Sequence, residues 1–326
     1  MSAASLNKQI IAITGATATG KSKLALNLAE ALIKQKRANR VFLLSVDSRQ
    51  VYRGLETLTA ATIPHGWQLN NSKPYPYLSH PQLAISLHGV SIIPIWQDWS
   101  PAHLQKLYLH IKQQLQNNDF LILVGGTGFY HRQLNQPAAT LFIKPNLTLR
   151  QQLNKKSVSF LQEQLQQLDP EKLAAMNQSD VKNPRRLIRA IEVAKALQKD
   201  HVGKTSSEQE EHWPLNIHLT LNKKEQAEQI KRRVAERYQD ALHEVRACVK
   251  QYKLSAELPA ASAIGFKELL DHIEQRTSLQ ASVLAWQKAE IQYSKRQATW
   301  WKKINNLKNF AADDPELLTK TLELVL

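Results

Sequence analysis

Cysteine is almost missing from this sequence. Cys248 is the only cysteine among 326 residues, which excludes a disulfide within the chain and any zinc site built on several cysteines. A single thiol is typical of a reducing compartment, so we expect a cytoplasmic protein. The eleven histidines form no H-x-x-x-H pattern or cluster, and we therefore predict no zinc bound by protein ligands.

Long apolar runs are missing as well. No stretch approaches the roughly 20 apolar residues that a membrane-spanning helix needs. The opening MSAASLNKQ lacks the apolar core of a signal peptide. We therefore expect no membrane partner.

Acidic residues are scarce relative to basic ones. Lysine and arginine number 43 against 28 aspartates and glutamates, which gives a net charge of +15 and a pI near 9.8. Such an excess favours a polyanionic partner, chiefly nucleic acid. The alternatives are a basic excess that serves solubility, or a basic bias shared by the whole lineage.

Glycine is sparse, but its placement is informative. Half of the ten glycines fall in two short loops, each directly behind a strand candidate. The first loop holds Gly15 and Gly20, and the second holds Gly125, Gly126 and Gly128. Because ligands of open α/β sheets bind at the carboxyl ends of strands, the two loops suggest one shared site.

The first loop reads GATATGKS (15–22) and matches the phosphate-binding pattern G-x-x-x-x-G-K-[ST]. In this pattern backbone amides turn onto phosphate oxygens, the ammonium of Lys21 adds positive charge, and the hydroxyl of Ser22 can bind Mg²⁺. The loop predicts a site for a diphosphate or for a triphosphate such as that of ATP. The predicted diphosphate-binding residues are Gly15, Ala16, Thr17, Ala18, Thr19, Gly20, Lys21 and Ser22.

Alternating apolar strands and helical stretches predict an α/β fold. We expect a P-loop NTPase-like parallel sheet flanked by helices, with a core at 1–131, a small inserted helical domain at 132–183, and a continued core with a helical carboxy-terminal region at 184–326. Residues 62–90 are rich in turn-forming residues and are expected to form a long loop. Strands are predicted at Gln9–Thr14, Val41–Val46, Ile92–Ile95, Phe120–Val124 and Pro214–Leu221, and helices at Lys21–Gln35 and Pro101–Gln116.

Two polar side chains follow the ends of strand candidates. Asp47, in SVDSRQVYRG (45–54), can bind Mg²⁺, cap a helix or act as a general base. Thr127, in LVGGTGFY (123–130), lies between glycines, where its hydroxyl can meet a phosphate or a reacting group, or where it simply belongs to a tight turn. The residues alone leave these alternatives open.

Three helical stretches combine basic with apolar residues. Arg185 and Arg189 share one face of the first stretch. The last stretch interleaves lysine and arginine with Tyr293, Trp300 and Trp301, which suits phosphate contacts and base stacking. Solvated faces over apolar core stripes are the alternative for each helix taken singly. The stretches are 180–197, 222–239 and 289–303.

Six segments, taken together, resemble the bacterial type of the tRNA dimethylallyltransferase family, also called tRNA isopentenyltransferases. They occur in that family's order and at compatible spacings. The segments are GATATGKS, SVDSRQVYRG, LVGGTGFY, PRRLIRAIEV (184–193), AIGFKEL (263–269) and YSKRQATWWKK (293–303).

The resemblance implies transfer of a dimethylallyl group from dimethylallyl diphosphate to the N6 amine of the adenine 3′-adjacent to the anticodon in tRNA. It assigns the general-base role to Asp47 and a place at the reacting end to Thr127, with Mg²⁺ as cofactor. The expected partners are the anticodon stem-loop of tRNA and the prenyl donor, and we expect a monomer. The tRNA-binding residues that it implies are Asp47, Ser48, Arg49, Gln50, Arg150, Arg185, Arg186, Leu187, Ile188 and Arg189.

Two other functions remain open at this point. A P-loop small-molecule kinase would use ATP at the same loop, but it gives no reason for three basic helical stretches. A non-catalytic tRNA-binding relative would fit the departures from the family pattern, in which Leu58 and Ala61 stand where Gly and Lys are usual.

Overall fold

Eight strands form one sheet in the computed structural model, which describes residues 9–61, 63–200, 214–252 and 259–326. The strands are β1 (Ile10–Gly15), β2 (Arg40–Ser45), β3 (Gln68–Asn70), β4 (Tyr77–Ser79), β5 (Ile85–His88), β6 (Asp119–Gly125), β7 (Leu215–Thr220) and β8 (Lys308–Ala311). Across the sheet they lie in the order β3-β4-β5-β2-β6-β1-β7-β8. The six strands from β5 to β8 in this order are parallel, whereas β3 and β4 add an antiparallel edge.

The central strand β1 is buried on both faces. Ile10 and Ala12 belong to one apolar cluster, and Ile11 and Ile13 belong to another. Successive side chains of a strand point to opposite faces, so the continuous apolar run supplies two cores at once.

Helices cover the sheet and account for most of the other regular structure in the described residues. The third helix begins at Pro101, as predicted, and Ser100 is its N-cap. None of the helices in the described ranges is long and apolar enough to cross a membrane. The helices are α1 (Lys21–Lys34), α2 (Glu56–Thr59), α3 (Pro101–Gln114), α4 (Gly128–Asn135), α5 (Leu147–Leu153), α6 (Val158–Leu168), α7 (Pro170–Ala174), α8 (Gln178–Val181), α9 (Pro184–Asp200), α10 (Lys223–Tyr252), α11 (Phe266–Ile273), α12 (Leu279–Trp301) and α13 (Leu317–Val325), with a 3₁₀ turn at Pro259–Ser262.

Four predicted strands are confirmed to within one residue at each end, as β1, β2, β6 and β7. The strand predicted at Ile92–Ile95 is wrong, because this segment forms only a single bridge, between Ile93 and Tyr52. The long loop predicted at 62–90 is also wrong, since it contains β3, β4 and β5. These strands are three or four residues long, too short for an alternating pattern to show in the sequence.

The chain divides into two compact units, one of Met1–Asn135 with Glu211–Leu326 and the other of Gln136–Glu210. The predicted insertion, 132–183, therefore places the carboxy-terminal boundary of the smaller unit before α9, whereas the unit includes this helix. Its last helix, α9, belongs to the smaller unit because Leu187 and Ile191 share an apolar cluster with Leu161. Within the smaller unit, residues 136–200 form helices α5 to α9 and no strand, as the sequence predicted.

Candidate active site

The loop between β1 and α1 has the shape of a phosphate-binding loop. Gly20, just before α1, has a φ of 79°, in the left-handed region that side chains disfavour. The Nζ of Lys21 donates to the carbonyl oxygen of Ala16 (2.6 Å), and the Thr19 hydroxyl donates to the same oxygen (2.9 Å). Gly15 is the last residue of β1, and the side chains of Ala16 and Thr19 point into the protein interior and are buried. The free amides at the start of α1 thus form a ready anion site.

A cavity of about 570 Å³ lies at the carboxyl ends of the parallel strands. Its wall combines Lys21 and Ser22 with Asp47 and with Gly125 and Gly126 of the second glycine loop. The two glycine loops therefore meet, as their positions behind parallel strands implied. Other predicted site residues in the wall are Thr17, Ala18, Gly20, Ser48, Arg49 and Gln50.

Asp47 uses one carboxylate oxygen to hold its own turn. Its Oδ1 accepts hydrogen bonds from the backbone amides of Arg49 (2.7 Å) and Gln50 (3.3 Å). The residues after Asp47 form a turn and not a helix, so this is an Asx-type turn and not the helix cap that the sequence left open. No described residue donates a hydrogen bond to Oδ2, so this oxygen is available to a ligand in the cavity.

Arg49 and Gln50 differ in how free their side chains are. Arg49 donates from Nη1 to the carbonyl oxygen of Pro259 (3.1 Å) and also interacts with the Tyr52 hydroxyl. The Gln50 amide accepts from the Ser45 hydroxyl (2.8 Å) and donates to the carbonyl oxygen of Ala60 (3.1 Å). Gln50 therefore supports the wall, while most N–H groups of Arg49 remain available to an anion.

Thr127 does not line the cavity itself but is linked to it by a hydrogen bond to a tyrosine. Its hydroxyl lies 3.2 Å from the hydroxyl of Tyr293, and Tyr293 lines the cavity. Burial, with the negative charge of Asp47 adding to it, raises the pKa of Tyr293 to about 12. The phenol is therefore neutral over the physiological range and serves as a hydrogen-bonding group.

Lys21 has an unusual ionisation. Burial and the nearby Arg233 guanidinium lower the pKa of Lys21 to about 7, and the Asp47 carboxylate acts in the opposite direction. The ammonium group thus loses part of its charge near neutral pH in the free protein. A bound anion favours the protonated form, so anion binding and proton uptake are coupled at this lysine.

Positive charge dominates the cavity. Among the described residues that line it, six are cations and two, Asp47 and Glu290, are carboxylates. Glu290 is already paired, since it accepts from Nη2 of Arg237 at 2.6 Å, and the Arg237 guanidinium also lies 4.9 Å from the centre of the Trp286 ring. The excess suits a ligand with several negative charges. The cations are Lys21, Lys23, Arg49, Arg233, Arg237 and Arg296.

The sequence analysis did not single out several wall residues. Arg233 and Arg237 belong to the basic stretch 222–239, and their spacing of four residues, which puts them on one helix face, was an available signal. Gln297 carries no comparable signal, because it reaches the cavity from a segment that is remote from the phosphate loop in the sequence. Leu58, noted in the sequence only as a departure from the family pattern, also lines the cavity.

The donor atoms of the cavity fit a magnesium ion that arrives with its anion. The described residues contain no group of three or more His, Cys, Asp or Glu side chains that could hold a metal alone. Mg²⁺ is commonly bound by one or two protein oxygens together with phosphate oxygens and water. The Ser22 hydroxyl lines the cavity at the phosphate loop and can supply such an oxygen.

In the smaller unit, two of the arginines predicted to bind tRNA are engaged internally. Arg150 makes two hydrogen bonds to the Glu192 carboxylate (2.7 and 2.8 Å), and Arg189 makes one (3.4 Å). Arg189 also donates to the carbonyl oxygens of Thr140 (3.1 Å) and Ile143 (3.0 Å). Burial raises the pKa of Glu192, but the hydrogen bonds from Arg150 and a backbone amide and the arginine charges outweigh it and leave the pKa below its usual value. We name this group the Glu192 cluster.

The rest of the predicted motif on α9 splits by helix face. Arg185 and Arg186 are exposed, and Arg186 pairs with Asp180. Leu187 and Ile188, also predicted as tRNA-binding residues, are buried in the apolar cluster of the unit, so their side chains are not exposed. An apolar stripe on a helix faces inward even when its neighbours in the motif are basic.

Trp301 also differs from expectation. The interleaving of basic and aromatic residues predicted base stacking, and for Trp301 this is wrong. Its ring is fully buried, and its Nε1 donates to the carbonyl oxygen of Gly126 (3.2 Å). Trp301 therefore supports the second glycine loop from behind.

Known proteins match this chain along almost its whole length. A model of the family described as IPP transferase matches residues 50–304. A tRNA dimethylallyltransferase from Nostoc sp. is 32% identical over 95% of this chain and 96% of its own length. A tRNA dimethylallyltransferase from Moorella thermoacetica is 28% identical over 97% of this chain and 94% of its own length.

Solved structures agree with these matches. The tRNA isopentenylpyrophosphate transferase from Bacillus halodurans has a TM-score of 0.64 and 25% identity, covering 98% of this chain and 95% of that one. A eukaryotic dimethylallyltransferase acting on tRNA has a TM-score of 0.71 at 20% identity, covering 94% of this chain and 74% of that one, a likeness of fold alone. With a family match over most of its length and relatives that align from end to end, this chain belongs to the IPP transferase family of tRNA prenyltransferases.

Proposed function

We propose that this protein transfers the dimethylallyl group of dimethylallyl diphosphate to the N6 amine of the adenine on the 3′ side of the anticodon in tRNA, giving N6-isopentenyladenosine. One observation carries the proposal: a phosphate-binding loop and a carboxylate with an available oxygen, Asp47, line the same basic cavity. A diphosphate donor explains the loop, and an amine acceptor explains the carboxylate. The names of the relatives support the dimethylallyl group and tRNA as the two reactants.

The phosphate loop is the proposed site of the donor's diphosphate. The amides at the start of α1, the Lys21 ammonium and the Arg233 guanidinium surround the place where charge develops. When the allylic C–O bond breaks, its electron pair leaves with the diphosphate, and these groups stabilise that charge. Mg²⁺ bound by Ser22 and the diphosphate would add positive charge at the leaving group.

Asp47 is the proposed general base. As the N6 nitrogen forms its bond to the allylic carbon, the amine must lose a proton, and the available Oδ2 of Asp47 can accept it. The bonds from Arg49 and Gln50 to Oδ1 keep the carboxylate in place during this transfer. The adenine must leave its stack to reach the cavity, as other enzymes that act on bases require.

Cations that are exposed or partly exposed are the proposed tRNA contacts. Arg49 and Arg296 line the cavity, and Arg185 and Arg186 are exposed on α9 of the smaller unit. Phosphate contacts of this kind set register and affinity without reading sequence. We further propose that the protein acts as a monomer. We also propose that it works in the cytoplasm, because its single cysteine, Cys248, fits a reducing compartment.

The decisive experiment supplies an unmodified anticodon stem-loop, labelled dimethylallyl diphosphate and Mg²⁺. We expect label in the RNA, and no label when the target adenine is replaced by guanine. The comparison is the affinity for ATP against the affinity for dimethylallyl diphosphate. Far tighter binding of ATP, without label in the RNA, would identify a kinase, and tight RNA binding without transfer would identify a non-catalytic relative.

A further inference from the structure

Two glutamines hold one residue of the phosphate loop through its backbone. The backbone amide of Thr17 donates to Oε1 of Gln297 (2.8 Å), and the carbonyl oxygen of Thr17 accepts from Nε2 of Gln226 (2.8 Å). Gln226 lies in the first turn of α10, 209 residues from Thr17, and Gln297 lies near the end of α12, 280 residues away. Both glutamines are buried.

Gln297 also fits closely against the second glycine loop. A Cβ atom built at Gly126 would lie 2.5 Å from Nε2 of Gln297, closer than real contacts allow. The hydroxyl of Tyr293, one turn earlier on α12, interacts with both Gln297 and Thr127. One buried side chain therefore contacts the phosphate loop, the second glycine loop and the hydrogen bonds that lead to Thr127.

We propose that Gln226 and Gln297 are positioning residues, which hold the phosphate loop in its anion-binding shape before the anion arrives. A loop of this kind binds phosphate through backbone amides, whose directions change when a peptide plane rotates. Fixing the peptide planes on either side of Thr17 removes rotations that anion binding would otherwise have to restrict. Because the Thr17 amide is used by Gln297, the amides of residues 18–22 are the ones left for the anion.

Hydrogen-bond chemistry separates this role from simple packing. Position 297 needs an acceptor for the Thr17 amide, and position 226 needs a donor for the Thr17 carbonyl. Glutamate, which has the shape of glutamine, can accept but cannot donate when ionised. Gln297→Glu should therefore keep its contact with the loop, whereas Gln226→Glu should not.

The test compares three methionine variants, which remove the amide and keep the length of the side chain. Gln226→Met and Gln297→Met should each weaken the binding of inorganic diphosphate with Mg²⁺ by about 5- to 30-fold, the worth of one buried hydrogen bond. Binding of the anticodon stem-loop should change less than about twofold, because the loop does not contact it in our proposal. The matched control is Gln287→Met, since Gln287 also joins α12 to α10, through Lys231, but away from the loop.

The conformational freedom of the phosphate loop is measured by the hydrogen-exchange rate of the Thr17 amide. We expect faster exchange in Gln297→Met and retained protection in Gln297→Glu, with each variant folded at the temperature of the measurement. Diphosphate affinity equal to that of Gln287→Met, or Thr17 exchange equal in wild type and Gln297→Met, would overturn the proposal. If Gln297→Met fails to fold, the opposite responses of the two glutamate variants decide the question alone.

This proposal rests on the proposed function only for the identity of the anion. The measurements use inorganic diphosphate and need neither tRNA nor turnover. A protein without prenyl transfer, but with glutamine-dependent diphosphate binding, would refute the proposed function and leave the positioning role standing.

Discussion

The cavity of the larger unit has more cations than carboxylates, whereas in the Glu192 cluster of the smaller unit the arginines are bound to a buried carboxylate. Six cations face the cavity with two carboxylates, one of which, Glu290, is already paired with Arg237. In the Glu192 cluster, two arginines converge on one buried carboxylate and on nearby backbone carbonyls. The cavity leaves charge free for a ligand, and the cluster uses it to hold the protein together.

Whether an arginine of α9 is held inside the protein or stays at the surface depends on whether a buried carboxylate lies beside it. In PRRLIRAIEV, Glu192 follows Arg189 by three residues, so the two lie on one face of α9. Arg185 and Arg186 have no such buried partner among the described residues, and they remain at the surface. A basic motif thus predicts nucleic-acid contacts only after its arginines have been checked against buried carboxylates.

The largest expected effect is at Asp47, the one unpaired carboxylate among the described residues of the cavity. Asp47→Asn keeps the side-chain shape but removes the base, so the chemical step should slow by about 10²–10⁴-fold. Donor affinity should hold or improve, because a negative charge has left the cavity. Single-turnover rates at saturating substrates measure this. A near-normal rate, or a large drop in donor affinity with added Mg²⁺, would assign Asp47 to holding its turn or to metal binding.

Next in size is the removal of a cation from the cavity. Lys21→Ala should weaken donor binding by about 10- to 100-fold, the usual worth of hydrogen bonds to charged groups. Binding of the stem-loop should stay nearly intact, since Lys21 belongs to the phosphate loop. Titrations with each ligand separately measure the two affinities. An equal drop in both would mean that the cavity does not divide its cations between the substrates.

The ionisation of Lys21 predicts a pH dependence. With the pKa of the free lysine lowered to about 7, donor binding above pH 7 must restore a proton, so affinity should fall as the pH rises from about 7 to about 9. Lys21→Arg keeps its charge over this range and should flatten the profile. Calorimetry in buffers of different ionisation enthalpy measures the proton uptake. Identical slopes for wild type and Lys21→Arg would place the titrating group elsewhere, including on the diphosphate.

Breaking the Glu192 cluster should cost stability and leave chemistry alone. Glu192→Gln should lower the unfolding free energy by about 1–3 kcal/mol, less than for a fully buried pair because Arg150 is 38% exposed. Since the folded-state pKa of Glu192 is lowered, its contribution exists above the unfolded pKa and is lost as the pH falls through the folded value. Denaturant unfolding at neutral and acidic pH tests both statements. Unchanged stability would show that these arginines are free after all.

The smallest expected effect contrasts the exposed arginines of α9 with the arginines of the Glu192 cluster. Replacing Arg185 and Arg186 by glutamine should weaken tRNA binding several-fold and reduce the salt slope by about one unit for each phosphate that no longer has a cation beside it. Arg150→Gln is the matched control, and its salt slope should stay that of the wild type. Affinity measured across a salt series gives the slopes. A reduced salt slope in Arg150→Gln, with an unchanged slope in the Arg185 and Arg186 variant, would assign the phosphate contacts to the Glu192 cluster instead.

The parts of the fold that could be predicted are those whose cause is local. The run IIAIT, the loop GATATGKS and the periodic helix after it each act within a few residues, and β1 and α1 appear where expected. Strand β5 escaped prediction because its four residues gain their strand geometry from pairing with β2. Gln297 escaped because its role exists only after α12 has met the phosphate loop.

The bond between Thr17 and Gln297 has a consequence for the order of synthesis. The phosphate loop is complete once Ser22 has been added, but the glutamine that holds it follows 280 residues after Thr17. The walls supplied by Arg233, Arg237 and Tyr293 also come from the last third of the chain. A nascent chain therefore carries the phosphate loop long before it carries the complete cavity that we propose for the prenyl donor.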